Sequence, residues 1–279
     1  KKISFSANKY LGNLDVCAYK VAQDGRYRAI FRDECVDVRI AIIPTIYGED
    51  LVLRLFKANS IYHEFSSLGF PKEILESIYS VLNMPHGLFL VTGATGSGKT
   101  TTLYAALHYI SQYKNQSIIS LEDPIEKLIP GIRQCAINDL SKALDFHTGL
   151  RHSLRCDPDI IMIGEIRDAQ TAELALMAAH TGHLVLASIH TYDVHSTLRR
   201  LIQFKLDPLL LDHSLRGILS QKLLPVHCHC SKGCIQCKFT GVISQTISGE
   251  LLDNIQPCFS DTDSLWVDHF LNNATLSRF

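Results

Sequence analysis

Short, closely spaced runs of apolar residues dominate the first third of the chain. Residues 27–31, 37–43 and 51–56 alternate or are rich in β-branched side chains, and turn-forming sequences such as Asp-Gly and Tyr-Gly-Glu-Asp separate them. Strands so close in sequence predict an antiparallel sheet, which we place in a partial α+β domain over residues 1–56. The abrupt start, with no initiator Met, predicts that the first part of this domain is missing.

From residue 71 onward the pattern changes to continuous apolar runs that alternate with helical segments. The predicted strands are residues 88–92, 117–121, 160–163 and 184–189. The predicted helices are residues 71–82, 99–113, 139–154, 168–180 and 194–204. Apolar strands that alternate with helices indicate a parallel sheet covered on both faces. We therefore predict an α/β domain over residues 71–279, joined to the first domain by a linker at 57–70.

Charge and cysteine content narrow the class of protein further. The net charge of −1 gives no electrostatic case for nucleic acid, so we expect no direct sequence-specific nucleic-acid binding. The longest apolar runs are far shorter than a membrane-spanning helix. Five of the nine cysteines are scattered singly and the other four crowd between 228 and 237, which argues against a secreted disulfide framework.

A glycine-rich segment lies between a predicted strand and a predicted helix. Residues 93–100 read Gly-Ala-Thr-Gly-Ser-Gly-Lys-Thr, a complete P-loop pattern in its required context. Its backbone N–H groups and the helix N-terminus favour phosphate binding. We expect Lys99 to reach the β- and γ-phosphates and Thr100 to ligate Mg²⁺. The predicted nucleotide-binding residues are Gly93, Ala94, Thr95, Gly96, Ser97, Gly98, Lys99, Thr100 and Thr101.

Acidic and histidine-containing segments follow or flank the other predicted strands. The acidic segments are residues 120–126 and 157–168, and carboxylates at the carboxyl ends of parallel strands face the ligand crevice. One carboxylate would help to hold Mg²⁺ and another would orient or deprotonate the attacking water. Taken alone, either segment could be a solvated turn. His183 and His190 bracket the apolar run 184–189 and are either structural or hydrogen-bond partners of the γ-phosphate.

Together these segments resemble the ATPases of type II secretion, type IV pilus assembly and competence pilus assembly. The resemblance runs from about residue 14 to residue 240, and it rests on a Walker A loop at 93–100, an acidic box at 120–126, an atypical Walker B at 160–165 and a histidine box at 181–191. It implies a RecA-like ATPase domain preceded by a PAS-like domain. It also implies that ATP and Mg²⁺ are the cofactors.

The resemblance assigns roles to individual residues. It makes Glu126 the catalytic glutamate, Glu165 the Walker B glutamate that organises Mg²⁺ and its water, and His183 and His190 the two box histidines. Residues 22–26, Ala-Gln-Asp-Gly-Arg, are similar to the family's Pro-Gln-Asp-Gly-Arg.

Arginines in both predicted domains also match family positions. Arg39 and Arg54 match arginines that the family's N-terminal domain supplies to a nucleotide site across a domain or subunit gap, where a cation neutralises charge on the γ-phosphoryl oxygens. Alternatively, both are solvent-facing strand residues. Three further arginines match family positions and are candidates for subunit contacts, namely Arg151, Arg155 and Arg167. Two family arginines are absent, since Gly-Glu-Arg becomes Gly-Glu-Asp at 48–50 and Gly-Arg-Thr becomes Ser-Gln-Thr at 244–246.

The crowded cysteines are similar to a metal-binding insertion of the same family. That insertion usually has two Cys-x-x-Cys pairs separated by a long loop, whereas here the first pair is Cys-x-Cys and the loop has three residues. Cys228, Cys230, Cys234 and Cys237 could form a tetrahedral Zn²⁺ site, with His227 or His229 replacing one thiolate. The alternative is a degenerate insertion with free thiols. The presence of the cluster favours the secretion and pilus-extension branch.

The function implied by the resemblance is that of a homohexameric motor. It would lie in the cytoplasm, peripheral at the inner membrane, and hydrolyse ATP to drive pilin or pseudopilin subunits through a membrane platform protein. Two alternatives stay open. The missing arginines leave room for a nucleotide-binding assembly subunit that does not hydrolyse ATP. The second alternative is a related DNA-translocation ATPase.

Overall fold

The computed structural model describes residues 4–31, 34–57, 64–137, 144–228, 230, 234, 242–253, 255 and 274–279. The chain divides into two compact units, Lys1–Ile61 and Tyr62–Phe279. This division falls inside the predicted linker at 57–70. Part of that linker nevertheless belongs to the core of the second unit, because the side chains of Phe65 and Phe70 are buried there.

The first unit is a helix followed by a three-stranded antiparallel sheet. Its elements are α1 (Phe5–Leu11), β1 (Gln23–Phe31), β2 (Glu34–Thr45) and β3 (Gly48–Lys57), with β2 in the centre of the sheet. Val38, Ile40 and Ile42 alternate along β2 and are buried, as a strand with one covered face requires. The hydroxyl of Tyr27 donates to the side-chain oxygen of Asn8 over 2.8 Å, which ties α1 to the sheet.

The second unit is an α/β domain built on one eight-stranded sheet. Its helical elements are the 3₁₀ turn Phe65–Ser67 and helices α2 (Lys72–Leu82), α3 (Lys99–Tyr113), α4 (Phe146–Ser153), α5 (Ala169–His180), α6 (Val194–Gln203) and α7 (Pro208–Ser214). Its strands are β4 (Gly87–Thr92), β5 (Ile118–Glu122), β6 (Arg133–Ala136), β7 (Ile160–Ile163), β8 (Leu184–Ile189), β9 (Leu215–His227), β10 (Val242–Asp253) and β11 (Thr275–Arg278). The strand order is β11-β10-β9-β4-β8-β7-β5-β6.

The four strands predicted for the second unit are parallel, and the sheet has in addition an antiparallel edge that the sequence did not predict. Strands β6, β5, β7, β8, β4 and β9 run parallel, whereas β10 pairs antiparallel with both β9 and β11. Antiparallel neighbours need no crossover helix, and the cysteine-rich segment joins β9 to β10 in the sequence. We refer to the antiparallel pair of β9 and β10 as the β9–β10 hairpin.

Both faces of the sheet are covered, as predicted for apolar strands of this kind. Buried side chains of α4, α5, α6 and α7 pack on one face, and those of α2 and α3 pack on the other. Helix α4 begins later than predicted, because the carboxylate of Asp145 accepts the backbone N–H of Thr148 over 2.6 Å and caps it there. Among the described residues, no helix is long and apolar enough to cross a membrane.

Candidate nucleotide site

The carboxyl ends of four parallel strands meet at one edge of the second unit's sheet. The P-loop follows β4, the acidic box follows β5, Glu165 follows β7 and His190 follows β8. All four segments line one cavity of about 430 Å³. Parallel strands place ligand-binding groups at this edge, and the sequence patterns therefore converge on a single site.

The P-loop is closed over its own lysine. Lys99 is 8% exposed, and its ammonium donates to the backbone oxygens of Gly93 over 2.8 Å and Ala94 over 3.1 Å. Burial lowers the pKa of Lys99, and the negative charge of Glu165 acts in the opposite direction. Gly93 has a φ of 145°, and a side chain there would lie 2.4 Å from the backbone oxygen of Gln221. This close approach requires glycine.

A glutamine that the sequence patterns did not single out braces the P-loop from β9. Gln221 is 1% exposed, accepts the hydroxyl of Thr102 over 2.8 Å and donates its amide to the backbone oxygen of Ser97 over 2.7 Å. These partners lie more than a hundred residues away in sequence. The one available signal was a polar residue among the apolar positions that open β9.

A cluster of acidic and basic side chains surrounds Glu165 at the cavity. The Nε of Arg167 donates to Glu165 over 2.7 Å, and its Nη2 also reaches Asp123 over 3.3 Å. The Nε2 of His190 lies 3.3 Å from the second carboxylate oxygen of Glu165. Glu165 therefore connects β5, β7 and β8, and Arg167, a predicted subunit-contact residue, lies in this cluster.

The two glutamates of the acidic box occupy different environments. Glu122 is 3% exposed and its carboxylate accepts the hydroxyl of Ser120 over 2.5 Å and the amide of Gln134 over 3.0 Å. The hydroxyl of Tyr104 donates to its other oxygen. Glu126 lines the cavity, and its backbone N–H donates to Tyr104 over 3.0 Å.

The structure separates the two predicted histidines. His190 lines the cavity, whereas His183 precedes β8 and its Nδ1 lies 3.0 Å from the backbone oxygen of Ala178. A six-residue strand between them spans about 20 Å. Two residues at opposite ends of one strand cannot both approach the same phosphate within this chain, so a role for His183 in hydrolysis stays a prediction.

Hydrogen bonds of threonine residues at the histidine box join β4 to α6. The hydroxyl of Thr92 donates to the backbone oxygen of Thr191 over 2.8 Å, and the hydroxyls of Thr191 and Thr197 lie 2.6 Å apart. The strand that ends in the P-loop is therefore linked to the loop that carries His190. The sequence did not predict the contact between Thr92 and Thr191, because it spans about a hundred residues.

In the first unit, the strand register aligns three arginines. Arg39 on β2 lies opposite Arg26 on β1 and opposite Arg54 on β3. Directly opposed residues share one face of a sheet, and here that face is opposite to the one formed by Val38 and Ile40. We refer to Arg26, Arg39 and Arg54 as the arginine row. Like charges in this arrangement repel each other.

At the end of the β9–β10 hairpin, three thiols come together. The sulfur atoms of Cys228, Cys230 and Cys234 all lie within 4.8 Å of one another, and those of Cys228 and Cys234 are 3.6 Å apart. A tetrahedral Zn²⁺–thiolate site places its sulfurs about 3.8 Å apart, whereas a disulfide needs about 2 Å. The three thiols fit zinc. The predicted ligand Cys237 and the alternative ligand His229 lie outside the described residues.

A parallel sheet in which one strand leads through a P-loop into a helix, with carboxylates at the ends of two other strands, defines a P-loop nucleotide-binding domain. The chain belongs to the type II/IV secretion system protein family, whose model matches residues 3–258. The RecA-like α/β assignment and the resemblance to secretion and pilus assembly ATPases are thereby confirmed.

Individual relatives show how far the similarity extends. Type II secretion system protein E of Klebsiella pneumoniae is 38% identical over 269 residues, covering 88% of this chain and 54% of that protein. The type IV pilus assembly ATPase PilB of Thermus thermophilus is 42% identical over 228 residues, covering 81% of this chain and 25% of PilB. The crystal structure of the pilus retraction motor PilT with bound ADP superposes with a TM-score of 0.65 at 31% identity, covering 89% of this chain and 67% of PilT. The chain thus spans about half the length of the secretion relative.

Proposed function

We propose that this chain is the nucleotide-hydrolysing part of a motor ATPase for secretion or pilus assembly, with ATP as substrate and Mg²⁺ as cofactor. The observation that carries the proposal is the single cavity lined by the P-loop, Glu126, Glu165 and His190. The groups that we expect to bind phosphate, to bind Mg²⁺ and to activate water therefore line one cavity. The ADP bound to the related PilT supports the choice of nucleotide.

The residues around the cavity suit the steps of phosphoryl transfer. Lys99 would exchange its two backbone carbonyl partners for phosphate oxygens, because a charged acceptor binds an ammonium more strongly than a neutral one. Thr100 and Glu165 both line the cavity and offer the oxygen ligands that Mg²⁺ prefers. When bound, Mg²⁺ neutralises charge on the β- and γ-phosphate oxygens.

Glu126 is the group that we propose acts on the attacking water. Both glutamates line the cavity, but Glu122 is buried and its carboxylate accepts three donors, whereas Glu126 is exposed. A cavity-facing carboxylate can orient water or take its proton. His190, held near Glu165, would sense the γ-phosphate or help to orient that carboxylate.

The arginine row would complete the site from outside the second unit. Arg39 and Arg54 would neutralise charge on the transferring phosphoryl group, as an arginine finger does. We propose that they act within a homohexamer, peripheral at the cytoplasmic side of the inner membrane and attached to a membrane platform protein. Membership of the secretion family supports these partners. Zn²⁺ would stabilise the end of the β9–β10 hairpin through Cys228, Cys230, Cys234 and Cys237.

Phosphate release by the Lys99→Ala variant tests the proposal. Removal of the ammonium that reaches the phosphates should abolish turnover and weaken nucleotide binding, with a loss in rate of about 10³-fold or more. Lys72→Ala is the matched control, because Lys72 is exposed on α2 and pairs only weakly with Glu76 at 3.6 Å. Unchanged hydrolysis by Lys99→Ala would show that turnover does not take place in this cavity. Phosphate release that depends on added DNA would favour the translocation alternative.

A further inference from the structure

A buried phenol connects the P-loop helix to the acidic box. Tyr104 lies on α3, five residues after Lys99, and is 8% exposed. Its hydroxyl accepts the backbone N–H of Glu126 over 3.0 Å and that of Lys127 over 3.3 Å. The same hydroxyl donates its one proton to Glu122. One side chain therefore satisfies three groups of the segment that carries Glu126.

The carboxylate of Glu122 provides the fixed end of this connection. It belongs to β5 and accepts Ser120 and Gln134 in addition to Tyr104. Gln134 also donates to the backbone oxygen of Lys127 over 2.9 Å. Burial, and next the charge of Glu122, raises the pKa of the Tyr104 hydroxyl. The phenol therefore keeps its proton at physiological pH and remains a donor to Glu122.

The connection has a consequence for the reaction. Glu126 lines the cavity, and its backbone has to be held if the carboxylate is to stay at one distance from a bound phosphate. The P-loop is fixed to α3, since Lys99 begins that helix. A contact between α3 and the backbone of Glu126 fixes the two groups relative to each other.

We propose that Tyr104 is a positioning residue for hydrolysis, which holds the backbone of Glu126 at a set distance from the P-loop through its hydroxyl. The inference rests on the proposed function, because it assumes that Glu126 acts on the attacking water. It goes further in naming a group outside the phosphate-binding and acidic signatures that controls turnover. Binding of nucleotide does not require this contact, so Tyr104 should affect the rate rather than the affinity.

The Tyr104→Phe variant tests the inference, because it removes the hydroxyl and keeps the ring. Phosphate release at saturating ATP should fall about 10-fold, since a small displacement of a catalytic group is costly. Affinity for a fluorescent ATP analogue should stay within about twofold of the wild type, as expected when only the transition state is affected. Tyr109→Phe is the matched control on the same helix, since the ring of Tyr109 packs against Tyr79 and Tyr113.

A double-mutant cycle separates positioning from general support of the fold. If Tyr104 acts through Glu126, Tyr104→Phe should have no further effect on the residual rate of Glu126→Gln. A structural role would lower the rate by the same factor in both backgrounds and would overturn the inference. Glu122→Gln keeps the side-chain shape and removes the charge that receives the phenol proton. If Tyr104→Phe fails to fold, Glu122→Gln is measured in its place. We expect Glu122→Gln to show the same loss of rate and an unchanged affinity.

Amide hydrogen exchange supplies a readout that does not depend on activity. The amides of Glu126 and Lys127 should exchange about 10-fold faster in Tyr104→Phe than in the wild type and in Tyr109→Phe. Unchanged exchange, or wild-type phosphate release by Tyr104→Phe, would overturn the inference while leaving the proposed function intact. A wild-type protein that releases no phosphate would instead overturn the proposed function, and the exchange rates would still decide whether Tyr104 holds the loop.

Discussion

The nucleotide cavity of the second unit and the arginine row of the first unit differ in how their charged residues are arranged. In the cavity, Lys99, Glu165 and Arg167 are bound to one another or to the backbone, and Lys99 is buried. In the arginine row, Arg54 is exposed and three cations occupy directly opposed positions on one sheet face. Like charges directly opposite each other destabilise a sheet.

This difference suggests that the two units contribute to different steps of the reaction. We propose that the cavity binds nucleotide with its own groups, because Lys99 and the P-loop residues line it. The arginine row places three cations on one sheet face, and a cation can neutralise charge on a transferring phosphoryl group. Our account therefore assigns binding to the second unit, and it assigns part of the transition-state stabilisation to the first.

The largest effect that sharpens this comparison concerns the arginine row. Arg39→Ala and Arg54→Ala should each lower phosphate release about 10²-fold or more while leaving nucleotide binding nearly unchanged, because an arginine finger acts on the transition state. Arg28→Ala, on the same face of β1 but outside the row, is the matched control.

Mixing variants asks whether the arginines act between subunits. A mixture of Arg54→Ala with Glu126→Gln should recover part of the lost activity, since a mixed ring contains some sites with both intact halves. Labelled subunits must show exchange first. If activity does not recover although exchange is proven, the arginines act on the nucleotide of their own subunit. If the arginine variants are as active as the wild type, the arginines take no part in the reaction.

An intermediate effect is expected for the glutamine that braces the P-loop. Gln221→Leu leaves the buried backbone oxygen of Ser97 and the hydroxyl of Thr102 without their partner. An unsatisfied buried group costs about 1–3 kcal/mol, so nucleotide affinity should fall about 10-fold and the melting temperature should drop. Gln245→Leu, at an exposed position on β10, is the control. Wild-type affinity in Gln221→Leu would mean that the P-loop keeps its shape unaided.

The smallest effect on activity should follow from removal of zinc. The purified protein should contain about one Zn²⁺ per chain, and Cys234→Ser should lose it. Cys156→Ser is the control, because Cys156 is exposed and lies outside the cluster. Phosphate release should change little, since the thiols lie at the end of the β9–β10 hairpin. Full zinc content in Cys234→Ser, or none in the wild type, would contradict the assignment.

The sequence predicted the elements whose signal is local. The helix α3 and the strands β7 and β8 have the predicted bounds, because a continuous apolar run or a P-loop marks each of them. Strands β9 and β10 were missed. The second half of β9 is exposed or only partly buried and β10 is largely polar, so neither shows the apolar run of a central parallel strand. The short helices α1 and α7 are too brief for periodicity to reveal.

The candidate site divides in the same way. The P-loop, Glu126, Glu165 and His190 were predicted, and all line the cavity because each follows a parallel strand. Gln221 and Tyr104 were not predicted, since their contacts join segments 18 to 124 residues apart and no local pattern encodes them. His183 was grouped with His190 because the two are near in sequence, although a strand separates them in space.

The central claim is that Glu126 acts on water in the cavity of the second unit, and the Glu126→Gln variant tests it most directly. Glutamine keeps the size of the side chain and removes the charge that activates water. ATP binding should stay close to that of the wild type, while phosphate release in the presence of Mg²⁺ should fall about 10²-fold or more. Wild-type protein that binds ATP but releases no more phosphate than Glu126→Gln would contradict the account, and a nucleotide-binding subunit without turnover would replace it.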